Sequence, residues 1–211
     1  MNLMRLIPVV LTLLLTPFAV TRSVSPMAMS MRQGRVSSLV SRSARLEKAE
    51  GILLSKGARI AFAGSAKANL ALNLAINRWN HALGESLFAI ENSTDEANIT
   101  VRLVDSIGDG EEVQGEVLAS DGEGSDGLVT AKILIRDNVR GKKLTGDQVA
   151  EVIAHELGHL LGLEDSSTET GLMGEFDGNH LVTGPNSDEI AAVRSVRDAA
   201  SRSIAQALLR P

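Results

Sequence analysis

Residues 155 to 165 read HELGHLLGLED, and this stretch decides how the chain is interpreted. His155 and His159 are four positions apart, so on an α-helix they lie on one face, about one turn from each other. Two imidazole nitrogens on one face can bind a single zinc ion at about 2.0–2.1 Å. Glu156 follows the first histidine, where its carboxylate can take a proton from a water that the metal activates. The spacing therefore predicts a zinc site on a helix.

The residues after His159 supply a third ligand. A glycine at Gly162, three positions later, lets the chain leave the helix with a positive φ and turn back sharply. That turn can bring Asp165 to the metal, and two histidines with one carboxylate leave a position for water, as a catalytic zinc requires. The other candidates for the third ligand are Glu164, Glu175 and His180.

This stretch resembles the metzincin clan of metallopeptidases and, within it, the matrixin-like branch. The metzincin pattern is HExxHxxGxxH followed by a methionine turn; here HELGHLLGLED is followed by SSTETGLM, which ends at Met173. The resemblance implies one catalytic zinc bound by His155, His159 and Asp165. It also implies that Glu156 is the catalytic base and that Met173 forms a hydrophobic turn beneath the metal, although Met173 could equally be a simple core residue.

Asp165 is the departure from that pattern, because a histidine usually stands at this position. A carboxylate brings negative charge to the site and makes zinc a weaker Lewis acid than three imidazoles would. Two histidines and a carboxylate nevertheless support peptide hydrolysis in the thermolysin type of site. We therefore expect Asp165 to be the third ligand.

The pattern of apolar residues predicts an α+β fold. Strands are predicted from alternating or β-branched runs and helices from apolar spacings of three and four. The resemblance implies a metzincin-like catalytic domain with a twisted mixed β-sheet, an active-site helix, a Met-turn and a C-terminal helix. The predicted strands cover 59–63, 97–104, 116–119 and 129–135. The predicted helices cover 65–83, 145–162 and a final segment after Ser187. Trp79 of the first helix is expected in the core, and a capping box of Thr145 and Gln148 is expected to open the second.

The N-terminal part differs in composition from the rest. Residues 1–23 are interpreted as a signal peptide, because a positive charge precedes an apolar run of 15 residues, Leu6 to Val20, that is short for a membrane span. An uncleaved membrane anchor is the alternative. Residues 24–56 are basic and are interpreted as a linker or short pro-segment, which leaves 57–211 as the metallopeptidase catalytic domain. We expect a secreted protein, extracellular or periplasmic, without a stable membrane span.

Composition and charge exclude several other classes of protein. The chain has no cysteine, so a thiolate-bound zinc, a thiol nucleophile and a cysteine-based latency switch are excluded. From Ile60 onward, 12 basic residues face 24 acidic ones, which argues against nucleic acid as a partner. Acidic residues among glycines in 105–126 could bind Ca²⁺, although an exposed acidic loop is the more common explanation.

These observations predict a secreted zinc-dependent endopeptidase, active as a monomer on proteins or peptides in extended conformation. The resemblance implies that the peptide pairs with an edge strand at Gly115–Ser120. It also implies that the loop Gly174–Pro185 forms a wall of the pocket for the residue after the cleaved bond. The alternative function is a catalytically inactive zinc-binding or interaction domain on the same fold. Glu156 argues against that alternative, because it is not a zinc ligand in this geometry.

Overall fold

The computed structural model describes residues 58–64, 66–108, 113–120, 130–139, 141–167, 170–176 and 178–209. The predicted signal peptide and basic segment lie outside the described residues, as do most of the acidic residues that suggested calcium. None of the helices in the described part of the chain combines the length and apolar character needed to cross a bilayer.

A five-stranded mixed sheet forms the body of the domain. In space its strands follow the order β2-β1-β3-β5-β4, with all neighbours parallel except β4, which lies antiparallel to β5 at one edge. The strands are β1 (Ala58–Phe62), β2 (Phe88–Ile90), β3 (Ile99–Val104), β4 (Gly115–Ser120) and β5 (Thr130–Arg136). A small antiparallel ribbon follows, formed by β6 (Asn138–Val139) and β7 (Lys142–Lys143).

Three helices complete the fold: α1 (Ala66–Leu83), α2 (Gly146–Leu160) and α3 (Ser187–Leu208). Helices α1 and α2 pack against each other, and α2 also contacts β4 and β5. Trp79 of α1 is fully buried, as predicted, and its indole Nε1–H donates a hydrogen bond of 2.7 Å to the carbonyl oxygen of Ala154 in α2. At the end of α1, Glu85 forms an ion pair with Arg197 of α3. Helix α2 is therefore held from the side by α1.

The core is built mainly from Leu, Ile, Val and Ala, as the low aromatic content of 2% predicts. Burial of each large aliphatic side chain contributes about 1.5–3 kcal/mol, so these residues fix how α2 sits on the sheet. The largest fully buried aliphatic side chains of the sheet and of α2 are Ile60, Ile99, Ile133, Ile135, Ile153, Leu157 and Leu160.

The predicted α+β class and mixed sheet are confirmed, with local corrections. Strand β2 was not predicted, because three residues are too few to show an alternating pattern, and the β6–β7 ribbon was missed for the same reason. The helix predicted to run to Gly162 ends at Leu160, and Gly162 lies beyond it with a φ of 88°. In the C-terminal helix Val193 is fully buried, whereas Ile190, Val196 and Ile204 are partly exposed.

Candidate metal centre

Helix α2 carries both histidines of the candidate centre. It begins with the predicted capping box: the side chain of Thr145 accepts a hydrogen bond from the N–H of Gln148 at 3.3 Å, and the side chain of Gln148 accepts one from the N–H of Thr145 at 2.9 Å. The helix is amphipathic and buries its apolar side in the core. His155 and His159 are both partly exposed, with ring centroids 4.8 Å apart.

Backbone carbonyl groups orient both imidazole rings. Nδ1 of His155 lies 2.9 Å from the carbonyl oxygen of Leu172, and Nδ1 of His159 lies 3.0 Å from that of Leu163. Because a carbonyl oxygen only accepts hydrogen bonds, each Nδ1 must carry the proton. In the neutral rings the lone pair is therefore on Nε2, which is the tautomer that binds a metal through Nε2.

Asp165 lies opposite these two Nε2 atoms. Its Oδ1 atom is 3.1 Å from Nε2 of His155 and 3.3 Å from Nε2 of His159. Ligands about 2.0–2.1 Å from a tetrahedral zinc are separated from one another by about 3.3–3.4 Å. The two distances from Asp165 Oδ1 therefore fit two edges of a zinc tetrahedron.

The charges of this group are strongly coupled. Burial by itself lowers the pKa of His155, but the hydrogen bond with Asp165 and the nearby Glu156 carboxylate outweigh it and raise the pKa to about 9. Burial alone would raise the pKa of Asp165, but hydrogen bonds from both histidines outweigh it and hold that pKa well below its usual range. Without metal, a proton on Nε2 of His155 therefore faces Asp165 at neutral pH.

Glu156 is a second carboxylate close to the histidines, and it is 5% exposed. Potential ligand atoms of His155, Glu156 and His159 all lie within 4.8 Å of one another, so this carboxylate also has to be considered as a metal ligand. Asp165 is not a member of that compact group, although its Oδ1 lies 3.1 and 3.3 Å from the two Nε2 atoms. Burial raises the pKa of Glu156 above its ordinary value, which suits a group that takes up a proton.

The turn after α2 delivers Asp165 to the histidines. The N–H of Leu163 donates to the carbonyl oxygen of Gly158 at 3.0 Å, which folds the chain back at the end of the helix. Gly162 has a φ of 88°, a conformation that L side chains rarely adopt, so a glycine is needed there. The same turn positions the Leu163 carbonyl that orients His159.

Met173 lies in a tight turn beneath the histidines. The N–H of Gly174 donates to the carbonyl oxygen of Gly171 at 3.0 Å and closes this turn. The Met173 carbonyl oxygen accepts a hydrogen bond of 2.7 Å from the N–H of Ser166, next to Asp165. The Met173 side chain is 1% exposed, and a Cβ placed on Gly158 would lie 2.3 Å from its sulfur. Met173 therefore packs directly against the helix between the two histidines.

The sequence model of a peptidase family described as Matrixin matches residues 59–196. The chain belongs to the matrixin family. Among solved structures, one match is the crystal structure of metalloproteinase-II from Bacteroides fragilis, with 13% sequence identity and a TM-score of 0.42. That match covers 66% of this chain and 53% of the other, so this chain spans about half the length of that protein. No curated protein sequence matches this chain.

Membership of the matrixin family implies a catalytic zinc, and the histidine pair of this matrixin domain is where such a metal fits. The alternative third ligands are less well placed. Glu164 and His180 are exposed, and Glu175 is partly exposed. The compact group of potential metal ligands found among the described residues contains none of these three, and it does not contain Asp165 either.

Of the acidic residues proposed for calcium, Asp105 is described and exposed, whereas 109–112 and 121–129 lie outside the described part.

Glu189, in the first turn of α3, is a supporting residue of this matrixin site that the sequence alone does not reveal. Its Oε2 accepts a hydrogen bond of 2.8 Å from the N–H of Asn186, and the Asn186 side chain caps α3 in return. Its Oε1 accepts a hydrogen bond of 2.7 Å from the N–H of Met173. Glu189 therefore joins the cap of α3 to the Met-turn. The spacing Asn186-x-x-Glu189 signals the capping box, but nothing in it points to Met173.

Proposed function

We propose that this chain is a zinc-dependent endopeptidase, with zinc held by His155, His159 and Asp165 and with Glu156 as the general base. The observation that carries the proposal is the position of Asp165 Oδ1, 3.1 and 3.3 Å from two Nε2 atoms. Both imidazoles are oriented by backbone carbonyls so that these nitrogens can bind a metal. This arrangement is a three-ligand set of the catalytic type.

Zinc bound there would polarise the carbonyl of the peptide bond and lower the pKa of a water molecule. Glu156 acts on the proton. Its carboxylate accepts the proton of the attacking water and then donates it to the nitrogen of the leaving amine. Burial of Glu156 raises its pKa, which brings the carboxylate closer to the working pH for both transfers. Asp165 is ionised already without metal, because hydrogen bonds from both histidines hold its pKa well below its usual range.

The substrate we propose is a protein or peptide in extended conformation. Strand β4 (Gly115–Ser120) forms the edge of the sheet and lies against α2. An edge strand offers backbone N–H and C=O groups with which an extended peptide can pair. We propose that the loop Gly174–Pro185 forms the wall of the pocket for the residue after the cleaved bond. Two side chains of α2 bind the backbone of that loop. The amide of Gln148 donates a hydrogen bond to the carbonyl oxygen of Gly178, and the carboxylate of Glu151 accepts one from the N–H of Val182.

We also propose that the protein is exported and acts outside the cytoplasm as a monomer. The support for export is the apolar run after Arg5 and the acidic catalytic domain. The acidic charge also disfavours nucleic acid as a partner. Residues 24–56 would then be a linker or pro-segment between the signal peptide and the catalytic domain.

The alternative is a zinc-binding domain of the same fold that does not cleave. Glu156 favours the enzyme, because Asp165 already completes a set of three ligands. A buried carboxylate beside that set, with a raised pKa, has no role in mere metal binding.

Comparison of the wild-type protein with Glu156→Gln tests the proposal. The substitution keeps the size of the side chain and removes its capacity to accept the proton. We expect the wild type to cleave a quenched peptide library, to be stopped by a chelator and to recover with added zinc. We expect Glu156→Gln to bind one zinc and to lose at least about 10²-fold in kcat. Zinc binding without cleavage by the wild type would favour the non-catalytic domain instead.

A further inference from the structure

We propose that Gly115, at the start of β4, is a positioning residue for Glu156, because its missing side chain leaves the space in which the Glu156 carboxylate lies. This inference rests on the proposed function, in which Glu156 is the base. It assigns to the edge strand a second task, besides pairing with the substrate.

The Glu156 carboxylate leaves no room for a side chain at position 115. A Cβ placed on Gly115 would lie 2.4 Å from Oε1 of Glu156, 2.8 Å from Cδ and 2.9 Å from Cγ. Carbon atoms that are not bonded attract best at about 3.5–4.0 Å, so all three distances are too short for a Cβ to be accommodated without movement. Any side chain at position 115 would therefore occupy the volume that Glu156 fills.

The backbone of Gly115 has little freedom to retreat from Glu156. Gly115 is paired with Ile135 in the β4–β5 ladder, and Ile135 is fully buried. Next to it, the N–H of Arg136 donates to the carbonyl oxygen of Gln114 at 2.9 Å. When a Cβ is added at position 115, the part that can move is the flexible end of Glu156, and that end carries the carboxylate.

The glycine is not required by its backbone conformation. The glycines with positive φ in the described residues are Gly84, Gly108, Gly141, Gly162 and Gly178, and Gly115 is not among them. Alanine is therefore compatible with the local backbone, and in the folded protein the substitution acts through the space that its methyl group fills. In the unfolded chain it also reduces backbone freedom, which stabilises the fold by about 0.4–1 kcal/mol. Gly115→Ala should consequently fold and bind zinc while displacing the carboxylate of Glu156.

This arrangement couples the base to the substrate. In the proposed binding mode the peptide pairs with the backbone of β4, and the same backbone sets the position of Glu156. A misplacement of about 1 Å between a catalytic group and its substrate can cost on the order of 10²-fold in rate. The geometry of β4 therefore determines how far the base lies from the peptide bond.

The test compares zinc-loaded wild type, Gly115→Ala and Gly146→Ala. Gly146 is the matched control, because it has no positive φ and a Cβ there would meet nothing within 4 Å. We expect Gly115→Ala to lower kcat by about 10²-fold with KM within about threefold, and with wild-type zinc content and unfolding midpoint. Gly146→Ala should match the wild type in kcat, KM and zinc content, and its unfolding midpoint should be equal or slightly higher, because alanine restricts the unfolded chain.

A crystal structure of zinc-loaded Gly115→Ala provides the readout that does not depend on activity. We expect the Glu156 carboxylate to be displaced while β4 stays in place. An unmoved carboxylate, a kcat within about threefold of wild type, or a variant that loses zinc or its fold would each overturn the inference. If the wild type cleaves nothing, the proposed function fails, and the displacement in the crystal alone decides whether Gly115 sets the position of Glu156.

Discussion

The substitution Glu189→Gln should weaken both the fold and the metal site, although Glu189 contacts none of the proposed ligands. Its carboxylate accepts two hydrogen bonds, a buried one of 2.7 Å from the N–H of Met173 and a partly buried one of 2.8 Å from that of Asn186. A glutamine side chain has one oxygen and can keep only one of them. The remaining N–H then faces an amide NH₂ group and loses its acceptor.

The expected cost follows from that lost hydrogen bond. A buried donor without an acceptor costs about 1–3 kcal/mol, and hydrogen bonds to a charged group lie toward the upper end. Asp188→Asn is the matched control, since Asp188 is exposed and also lies in the first turn of α3. Loss of that charge near the helix N-terminus should cost only about 0.3–1 kcal/mol.

Urea-induced unfolding and zinc titration measure the two effects. The Met-turn positions the Leu172 carbonyl that orients His155, so loosening it should also weaken zinc binding by about 10–100-fold, as is typical when groups behind a metal ligand are altered. The reasoning would be refuted if Glu189→Gln were no more destabilising than Asp188→Asn, or if its zinc affinity equalled that of the wild type.

Two further predictions concern the same centre. Gly158→Ala would place a Cβ 2.3 Å from the sulfur of Met173, so it should lower the free energy of unfolding by about 1–3 kcal/mol. If urea-induced unfolding shows that Gly158→Ala is no more destabilising than Gly146→Ala, this packing is contradicted. Zinc affinity should rise with pH, because zinc must displace the proton of His155, whose pKa is raised to about 9. The rise should be up to about tenfold per pH unit below that value, and the affinity should then level off. Calorimetric titrations from pH 7 to 10 that show a constant affinity would be inconsistent with this expectation.

The active-site helix could be predicted because its information is local. Histidines four residues apart, a capping box at Thr145 and a glycine after the helix each act within one or two turns. The positions of Asp165 and Met173 were expected from the resemblance, and the structure brings Asp165 to both histidines and packs Met173 beneath them. Their roles in metal binding stay predictions until a metal is measured.

Other features depend on contacts that a single sequence does not show. Gly115 and Glu156 are 41 positions apart and meet only because β4 lies against α2. Glu189 reads as an ordinary N-terminal helix residue until α3 is packed beside the Met-turn. Strand β2 is short and pairs with β1 through long-range contacts, so neither its existence nor its edge position could be predicted.

The central claim is that Asp165 binds the metal and Glu156 does not, and zinc titrations of Asp165→Ala and Glu156→Ala side by side test it most directly. Both substitutions remove a carboxylate close to His155, so each serves as the control for the other. The account predicts that Asp165→Ala loses at least about 10²-fold in zinc affinity, whereas Glu156→Ala stays within a few-fold of wild type. The reverse order would contradict the account and make Glu156 the ligand.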